Sequence, residues 1–200
     1  MTQDPTQITQ QTYAAVAPDY QRVSANPYPA LLESLDRLTA HLGPGAFVLD
    51  AGCGPARDTT LLRARGLRAY GLDLSAEMLA AGRVAGVIRG DLRALPLADH
   101  AMAAVWCHAA LLHVPRADVP DVLAGFARVL RPGGVLLLAV AEGDGEGYED
   151  AVQYGGGRRY FIRHRLPGLA VLLADAGFIV DRVEHRRSHR DWLDIDAHLT

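Results

Sequence analysis

A short glycine-rich segment offers the clearest chemistry in the chain. It reads Val48-Leu49-Asp50-Ala51-Gly52-Cys53-Gly54, with a carboxylate just before two glycines. Glycines directly after a strand let the backbone turn tightly and approach a ligand, and the next helix offers unpaired amides to it. Asp50 can pair with a ligand ammonium group, directly or through water. The segment therefore predicts a small-molecule site.

The same loop departs from a dinucleotide-binding turn. A Gly-x-Gly-x-x-Gly turn needs a small last residue so that pyrophosphate can sit against the helix N-terminus, and Arg57 occupies that position here. Arg57 is bulky and Asp50 would repel pyrophosphate, although an arginine can also meet a phosphate. A nicotinamide-dependent oxidoreductase is therefore the less favoured alternative.

Two further carboxylates follow later apolar runs. Asp73 comes after Ala69-Tyr70-Gly71-Leu72, and Asp91 comes after the weaker run Val87-Ile88 and Gly90. The Asp73 carboxylate can accept hydrogen bonds from two vicinal hydroxyls at once. Taken singly, each acid also fits a helix N-terminus or a turn. Together with the glycine loop, they indicate a nucleoside-like ligand.

The elements that would position these residues alternate along the chain. Apolar runs before Asp50, Asp73, Cys107 and Glu142 have the character of strands buried on both faces, and helical spacing is found in residues 59–65, 76–83 and 119–130. Such alternation implies parallel strands joined by right-handed crossovers. Ligands bind beyond the carboxyl ends of these strands, where the acids collect.

The flanking segments predict covering elements. Pro29 to Leu42 reads as an amphipathic helix that covers the sheet. Residues 143–157, rich in glycine and acid, are predicted to be mobile or lid-like. A helix over 169–176 precedes a closing antiparallel pair, 178–183 with 192–195. The cluster His185 to Arg190 reads as an exposed hairpin turn without a function.

Composition limits the classes of function. The chain has 200 residues, half of them apolar, which suits one domain, and its formal charge of −3 with scattered bases argues against nucleic-acid binding. All 20 basic residues are arginine, which excludes lysine chemistry. No apolar run suits a membrane span, no metal site is predicted, and the start of the chain is too polar for a signal peptide. With only two cysteines, a reducing, cytoplasmic location is expected.

From Val48 to Val140 the chain resembles the class I S-adenosylmethionine-dependent methyltransferases, and among them the type 11 and type 25 group. Asp50 to Gly54 matches the first motif, Gly71-Leu72-Asp73-Leu74-Ser75 is similar to the second, Gly90-Asp91-Leu92 to the third, and Arg128 to Gly134 to the turn into the fifth strand. Ala56 replaces the usual third glycine.

The resemblance implies a doubly wound α/β fold. Its sheet would have seven mostly parallel strands, an antiparallel closing strand and N-terminal capping helices. Residues 1–200 would form a single domain, with 1–42 as an N-terminal lid and capping helix and 143–168 as an insert on the acceptor side.

The resemblance also implies site residues. Asp50 would hold the methionine part of S-adenosylmethionine, Asp73 the ribose hydroxyls and Asp91 the adenine amino group. The candidate cofactor-binding residues are Asp50, Gly52, Cys53, Gly54, Arg57, Asp73, Leu74, Asp91, Leu92, Cys107, His108 and Tyr20. The candidate acceptor-binding residues are Tyr13, Tyr20, Arg158, Arg159 and Tyr160.

These features predict methyl transfer to a small-molecule acceptor by in-line displacement, in a monomer or homodimer. The enzyme would mainly align a lone pair behind the methyl group and exclude water. His113, and less so His108, are candidates for a general base. The alternative is that both histidines only bond backbone groups and pack. A non-catalytic S-adenosylmethionine-binding protein is the other open hypothesis.

Overall fold

The computed structural model describes residues 4–200, in which the predicted apolar runs form strands separated by helices. The helices are α1 (Pro5–Ser24), α2 (Pro29–Leu42), α3 (Arg57–Ala64), α4 (Ala76–Gly82), α5 (Val119–Val129) and α6 (Leu166–Asp175). The strands are β1 (Phe47–Ala51), β2 (Arg68–Asp73), β3 (Val87–Arg89), β4 (Met102–His108), β5 (Leu130–Ala141), β6 (Glu146–Asp150), β7 (Arg158–Ile162), β8 (Phe178–Arg187) and β9 (Asp191–Leu199).

Seven strands form the main sheet in the order β3-β2-β1-β4-β5-β9-β8. The first five of these are parallel, while β9 runs antiparallel to both β5 and β8. The strand order reverses between β1 and β4, so their carboxyl ends open a crevice at the edge of the sheet. This confirms the predicted doubly wound sheet with an antiparallel closing strand.

Helices cover both faces of the sheet because alternate strand residues point in opposite directions. On one face, Leu35 of α2 packs in a cluster with Trp106 of β4. On the other face, Phe126 of α5 and Leu169 of α6 join the cluster that contains Val105, the neighbour of Trp106. The strand ends that form the crevice are thus fixed in position by helices packed on both faces of the sheet.

Local sequence signals explain where several helices begin and end. The Ser75 hydroxyl accepts a hydrogen bond from the Met78 amide at 3.2 Å, which caps the N-terminus of α4. Pro29 occupies the first turn of α2, and the helix ends at Gly43, whose φ is +74°. The bounds predicted for α2 agree with the structure.

Residues 143–157, predicted to be mobile or lid-like, form regular structure over part of their length. They contain β6, which pairs with β7 in an antiparallel hairpin in which Tyr148 lies opposite Tyr160. The closing strands β8 and β9 are also longer than the predicted ranges 178–183 and 192–195. Backbone pairing with β7, a strand later in the chain, orders a segment whose composition is typical of loops.

The predicted N-terminal lid corresponds to α1 and α2, although its residues 1–3 lie outside the described residues. Within residues 4–200, no helix combines the length and apolar character needed to cross a bilayer.

Candidate active site

The glycine turn between β1 and α3 packs too closely for side chains. Gly52 has a φ of +76°, and a Cβ atom there would lie 2.2 Å from the Ala110 Cβ. At Gly54, with a φ of +55°, a Cβ atom would lie 3.2 Å from the Met78 Cε. The position of Gly52 therefore requires glycine, since the backbone conformation and the space both exclude a side chain, whereas at Gly54 the positive φ is what disfavours one.

Asp73, at the end of β2, joins two turns at the crevice. Its Oδ2 accepts a hydrogen bond from the Gly54 amide and its Oδ1 from the Ser75 amide, each at 2.8 Å. Burial raises the pKa of Asp73, although the backbone amides oppose this shift. Each carboxylate oxygen keeps a further lone pair for a ligand hydroxyl.

Asp91 is held by an arginine. The Arg93 guanidinium donates to both Asp91 oxygens, at 2.8 to 3.1 Å, and also to Asp4 and Asp118 at 3.1 Å. Burial opposes ionisation of Asp91, but the Arg93 hydrogen bonds outweigh it and lower the pKa of Asp91. Arg93 thereby ties the start of α1 to the rim of the crevice.

A first cavity lies between these carboxylates and α1. It has a volume of about 110 Å³. Its lining includes Thr9, Tyr13, Tyr20, Gly52, Gly54, Asp73, Leu74, Met78, Asp91, Leu92, Ala109 and His113.

The β6–β7 hairpin holds α1 over the crevice. The Thr12 hydroxyl donates to the Arg158 carbonyl at 2.6 Å, and the Thr9 hydroxyl accepts from the Tyr160 amide at 2.8 Å. The two threonines lie three residues apart and therefore on the same face of the helix. This docking sets the positions of Tyr13 and Tyr20.

A second, larger cavity of about 680 Å³ lies on the other side of Tyr13 and Tyr20. It is enclosed by α1, the hairpin, the carboxyl ends of β1 and β4, and the β8–β9 turn. The residues that line both cavities are Tyr13, Tyr20, Gly52, Gly54, Ala109 and His113.

Two buried carboxylates lie at the floor of the second cavity. Asp50 accepts a hydrogen bond from the Thr59 hydroxyl at 2.6 Å, and burial together with the charge of Asp58 raises the pKa of Asp50 to about 8. Asp58 accepts from the Arg57 Nε at 2.6 Å and from the Trp106 indole at 3.0 Å. Burial opposes ionisation of Asp58, but its partners His108 and Arg57 outweigh it and lower its pKa.

His108 lies beside Asp58 in the second cavity. Its Nδ1 is 3.4 Å from the Asp58 Oδ2, and its Nε2 is 2.8 Å from the Tyr28 hydroxyl. His108 is not among the described residues that line the first cavity. The ring therefore belongs to the second cavity.

Both ring nitrogens of His113 have partners. Nδ1 is 2.7 Å from the Tyr160 carbonyl, so it must carry the proton, and Nε2 then accepts from the Tyr13 hydroxyl at 2.8 Å. Burial lowers the pKa of His113 to about 3. Such a histidine is a weak base, and its role as a general base stays a prediction that this geometry does not favour.

Most of the predicted site residues meet at the two cavities. They are Tyr13, Tyr20, Asp50, Gly52, Cys53, Gly54, Arg57, Asp73, Leu74, Asp91, Leu92, His108, His113 and Arg159.

Three predicted residues lie elsewhere. Cys107 is fully buried behind the strand end. Arg158 is exposed and stacks over Tyr148, and the Tyr160 ring packs against the same Tyr148. The positions of Arg158 and Tyr160 follow from the alternation of side chains along β7, because Arg159 faces the cavity while these two neighbours face away.

Several cavity residues were not anticipated. Phe161, Trp192 and Tyr154 supply aromatic walls, and Arg186 and Arg190 belong to the cluster expected to be an exposed turn without a function. Once β7 is known to be a strand, the period of two from Arg159 points to Phe161. No comparable local signal marks Arg190.

Comparison with known proteins identifies related chains. Residues 49–138 match a family described as methyltransferase domain. A malonyl-[acyl-carrier protein] O-methyltransferase from Serratia marcescens is 38% identical over 150 residues, which are 72% of this chain and 58% of the relative. The chain spans about half the length of the curated relatives it matches.

Solved structures share the fold. The 1,6-didemethyltoxoflavin-N1-methyltransferase of Burkholderia thailandensis, bound to its substrate and S-adenosylhomocysteine, aligns with a TM-score of 0.77 at 24% identity, over 100% of this chain and 92% of that one. The magnesium protoporphyrin IX methyltransferase of Synechocystis PCC 6803, bound to S-adenosylmethionine, aligns with a TM-score of 0.75 at 18% identity, over 100% and 99% of the two chains.

Proposed function

The chain carries a methyltransferase domain of the class I, type 11 group, and from this premise we propose that it transfers the methyl group of S-adenosylmethionine to a small-molecule acceptor. The proposal rests on the arrangement of the two cavities. The two cavities meet at Tyr13, Tyr20 and the glycine turn, so a cofactor in the first can present its methyl group to a molecule in the second.

The described residues fit the cofactor. Asp73 offers two carboxylate oxygens to the ribose hydroxyls, and Asp91 with Leu92 borders the place for adenine. Asp50 lines the second cavity beside the glycine turn and would supply a carboxylate for the ammonium group, so the methionine part of the cofactor would extend past the junction toward that cavity. Gly54 leaves the space that a side chain would fill. When bound, S-adenosylmethionine supplies an activated methyl group on a sulfonium.

The protein's contribution to the reaction is positioning. Helix α1 and the hairpin enclose the junction between the cavities, which excludes water and restricts the approach of the acceptor. His113 is neutral and bonded at both nitrogens, so it is poorly placed to act as a base, and His108, beside Asp58 in the second cavity, is the remaining histidine candidate for a general base.

Two properties of the whole protein belong to the same proposal. Cys53 and Cys107 are free thiols, which supports a reducing compartment and a cytoplasmic location. The Serratia marcescens and Burkholderia thailandensis enzymes differ in the acceptors that their names give, malonyl-[acyl-carrier protein] and 1,6-didemethyltoxoflavin. Similarity to these enzymes therefore supports the reaction class. The acceptor has to be inferred from the residues that line the second cavity.

The experiment is a thermal-unfolding titration with S-adenosylmethionine, S-adenosylhomocysteine and the nicotinamide dinucleotides. A ligand at a hundredfold over its Kd stabilises a protein by about 2.7 kcal/mol. We expect both sulfur nucleotides to raise the Tm and the dinucleotides not to. Asp73→Ala should weaken binding of the sulfur nucleotides by about tenfold or more, since it removes charge-assisted hydrogen bonds.

Two outcomes of this titration would favour other functions. Stabilisation by a dinucleotide alone would support the oxidoreductase alternative. Strong binding of S-adenosylmethionine with no turnover on any acceptor would support a non-catalytic binding protein.

A further inference from the structure

The second cavity contains a buried arginine that forms no ion pair among the described residues. Four of the arginines around this cavity have carboxylate partners: Arg57 with Asp58 at 2.6 Å, Arg186 with Asp194 at 2.7 Å, Arg187 with Asp191 at 3.7 Å, and Arg190 with Glu149 at 3.3 Å. Arg159 forms no ion pair within residues 4–200. The nearby Glu149 carboxylate is already bonded to Arg163 and Arg190.

Arg159 is also poorly satisfied by hydrogen bonds. The residue is 5% exposed, its Nη1 donates to the Tyr13 hydroxyl at 3.1 Å, and its Nε has no partner in the described part of the chain. Its Cζ lies 5.5 to 5.8 Å from the ring centroids of Tyr13, Tyr154 and Phe161. Aromatic rings attract the cation, but they leave its N–H donors free.

A buried cation without a counter-ion is costly, and burying it beside a cavity is explained if a ligand supplies the opposite charge. We propose that Arg159 is a specificity-determining residue that binds a carboxylate group on the methyl acceptor. The inference rests on the proposed function, because it assigns the acceptor to the second cavity.

A carboxylate fits this environment better than a phosphate. A guanidinium can bind a carboxylate through two parallel N–H donors, and the Nε edge of Arg159 is the free one. Arg159 is the arginine of this cavity that lacks a carboxylate partner among the described residues, so one negative charge on a ligand can pair with it directly. The ionised Asp58 at the floor of the cavity would repel the second negative charge of a phosphate dianion.

The location of Arg159 gives the carboxylate a role in alignment. Tyr13 accepts from Arg159 and donates to His113, and both Tyr13 and His113 line the junction with the first cavity. An acceptor anchored at Arg159 is therefore held beside the place where the methyl group would be presented. Its apolar or aromatic part would pack against Tyr154 and Phe161.

The test measures binding of matched acid and amide probes to protein saturated with S-adenosylhomocysteine. Benzoate and benzamide, and indole-3-acetate and indole-3-acetamide, are titrated to about 10 mM while the Tm is followed. We expect the acids, but not the amides, to raise the Tm. Arg159→Gln should weaken acid binding about tenfold or more, whereas Arg158→Gln, the exposed neighbour, should not change it.

Other outcomes overturn the proposal. Equal binding of acids and amides, no acid binding to the wild type, or full acid binding to Arg159→Gln would each contradict it, and tighter binding of phenyl phosphate than of benzoate would contradict the choice of carboxylate. The increase in Tm caused by S-adenosylhomocysteine is measured first in the wild type and in every variant. If that stabilisation is absent in the wild type, the proposed function fails; if it is present and acids do not bind, only this inference fails.

A second measurement separates ligand binding from a structural role. Removal of an unpaired buried charge should leave the Tm of the unliganded protein unchanged or higher, so Arg159→Met should be at least as stable as the wild type. A marked fall in the Tm of Arg159→Met, with unchanged acid binding in Arg159→Gln, would make Arg159 a structural residue.

Discussion

The protonation state of Asp50 links the glycine loop to cofactor binding. Asp50 has one side-chain hydrogen bond, from Thr59, while the neighbouring Asp58 is bonded to Arg57 and Trp106. The negative charge therefore resides on Asp58, and burial beside that charge raises the pKa of Asp50 to about 8. In the unliganded protein Asp50 is mostly protonated at neutral pH.

We expect cofactor binding to release a proton near pH 7, because the ligand ammonium favours the ionised form of Asp50. The affinity for S-adenosylhomocysteine should rise as the pH rises from about 6 to 8, by up to about tenfold per pH unit. Calorimetry in buffers of different ionisation enthalpy measures the released proton. Asp50→Asn is the control, and a release that persists in this variant would contradict the assignment.

The same shift has a defined effect on stability. The folded-state pKa of Asp50 lies above the unfolded value of about 3.9, so the folded state binds the proton more tightly. The contribution of Asp50 to stability is full below about pH 4 and is lost as the pH rises toward about 8.

His113 should remain neutral and keep its proton on Nδ1. Burial lowers its pKa to about 3, and the Tyr160 carbonyl requires an N–H donor at 2.7 Å. Nitrogen-15 NMR of the side chain should therefore show the Nδ1–H tautomer without titration between about pH 5 and 9. His113→Gln identifies the signal. Titration near pH 6.5 would restore His113 as a general base.

The sequence predicted residue types at strand ends better than their partners. Asp50, Asp73 and Asp91 were placed correctly because an acid that directly follows a buried strand must lie at the carboxyl edge of the sheet. The bonding of His113 was left open, since Tyr13 and Tyr160 are 100 and 47 residues away in the chain. Contacts of that range leave no local pattern.

At the scale of elements, α1 and the hairpin act as one cover. Thr9 and Thr12 of α1 are bonded to the backbone of β7, and Gly157 brings the loop before β7 close to the helix. A Cβ atom on Gly157 would lie 2.6 Å from the Thr12 Cγ2, whereas one on Gly156 would meet nothing within 4 Å. The two neighbouring glycines therefore offer a matched pair of variants.

Gly157→Ala should separate α1 from the hairpin and weaken S-adenosylhomocysteine binding by several-fold, while Gly156→Ala should leave that affinity unchanged. Both glycines have positive φ, so each substitution should lower stability by about 1 kcal/mol from backbone strain. Thermal unfolding and calorimetry measure the two effects. Equal affinities in the two variants would show that the docking of α1 does not support the cofactor site.

The β6–β7 hairpin also shows which secondary-structure elements the sequence did not predict. Strands of the main sheet were recognised because they are continuous apolar runs, which buried parallel strands require. Strand β6 reads Glu-Gly-Tyr-Glu-Asp, a composition typical of a loop. It becomes a strand because β7 satisfies its backbone groups, and a polar sequence does not reveal that pairing.

In the whole molecule, the carboxyl edge of one sheet contributes residues to both cavities, but different elements complete each cavity. The first cavity is lined by the turns after β1, β2 and β3, by α1 and by the turn after β4. The second is closed by α1, the hairpin and the β8–β9 turn, which come from both ends of the chain. The sequence predicted residues of both cavities between Asp50 and His113, whereas the aromatic walls Tyr154, Phe161 and Trp192 from the later part of the chain were not predicted.

A crystal structure of the complex with S-adenosylhomocysteine would show whether the two cavities meet where methyl transfer occurs. We predict that the ribose hydroxyls bind Asp73, that the adenine lies beside Asp91, and that the sulfur lies at the junction between Tyr13 and Tyr20, facing the second cavity. A ligand whose sulfur is turned away from the second cavity, or whose nucleoside occupies that cavity, would contradict it.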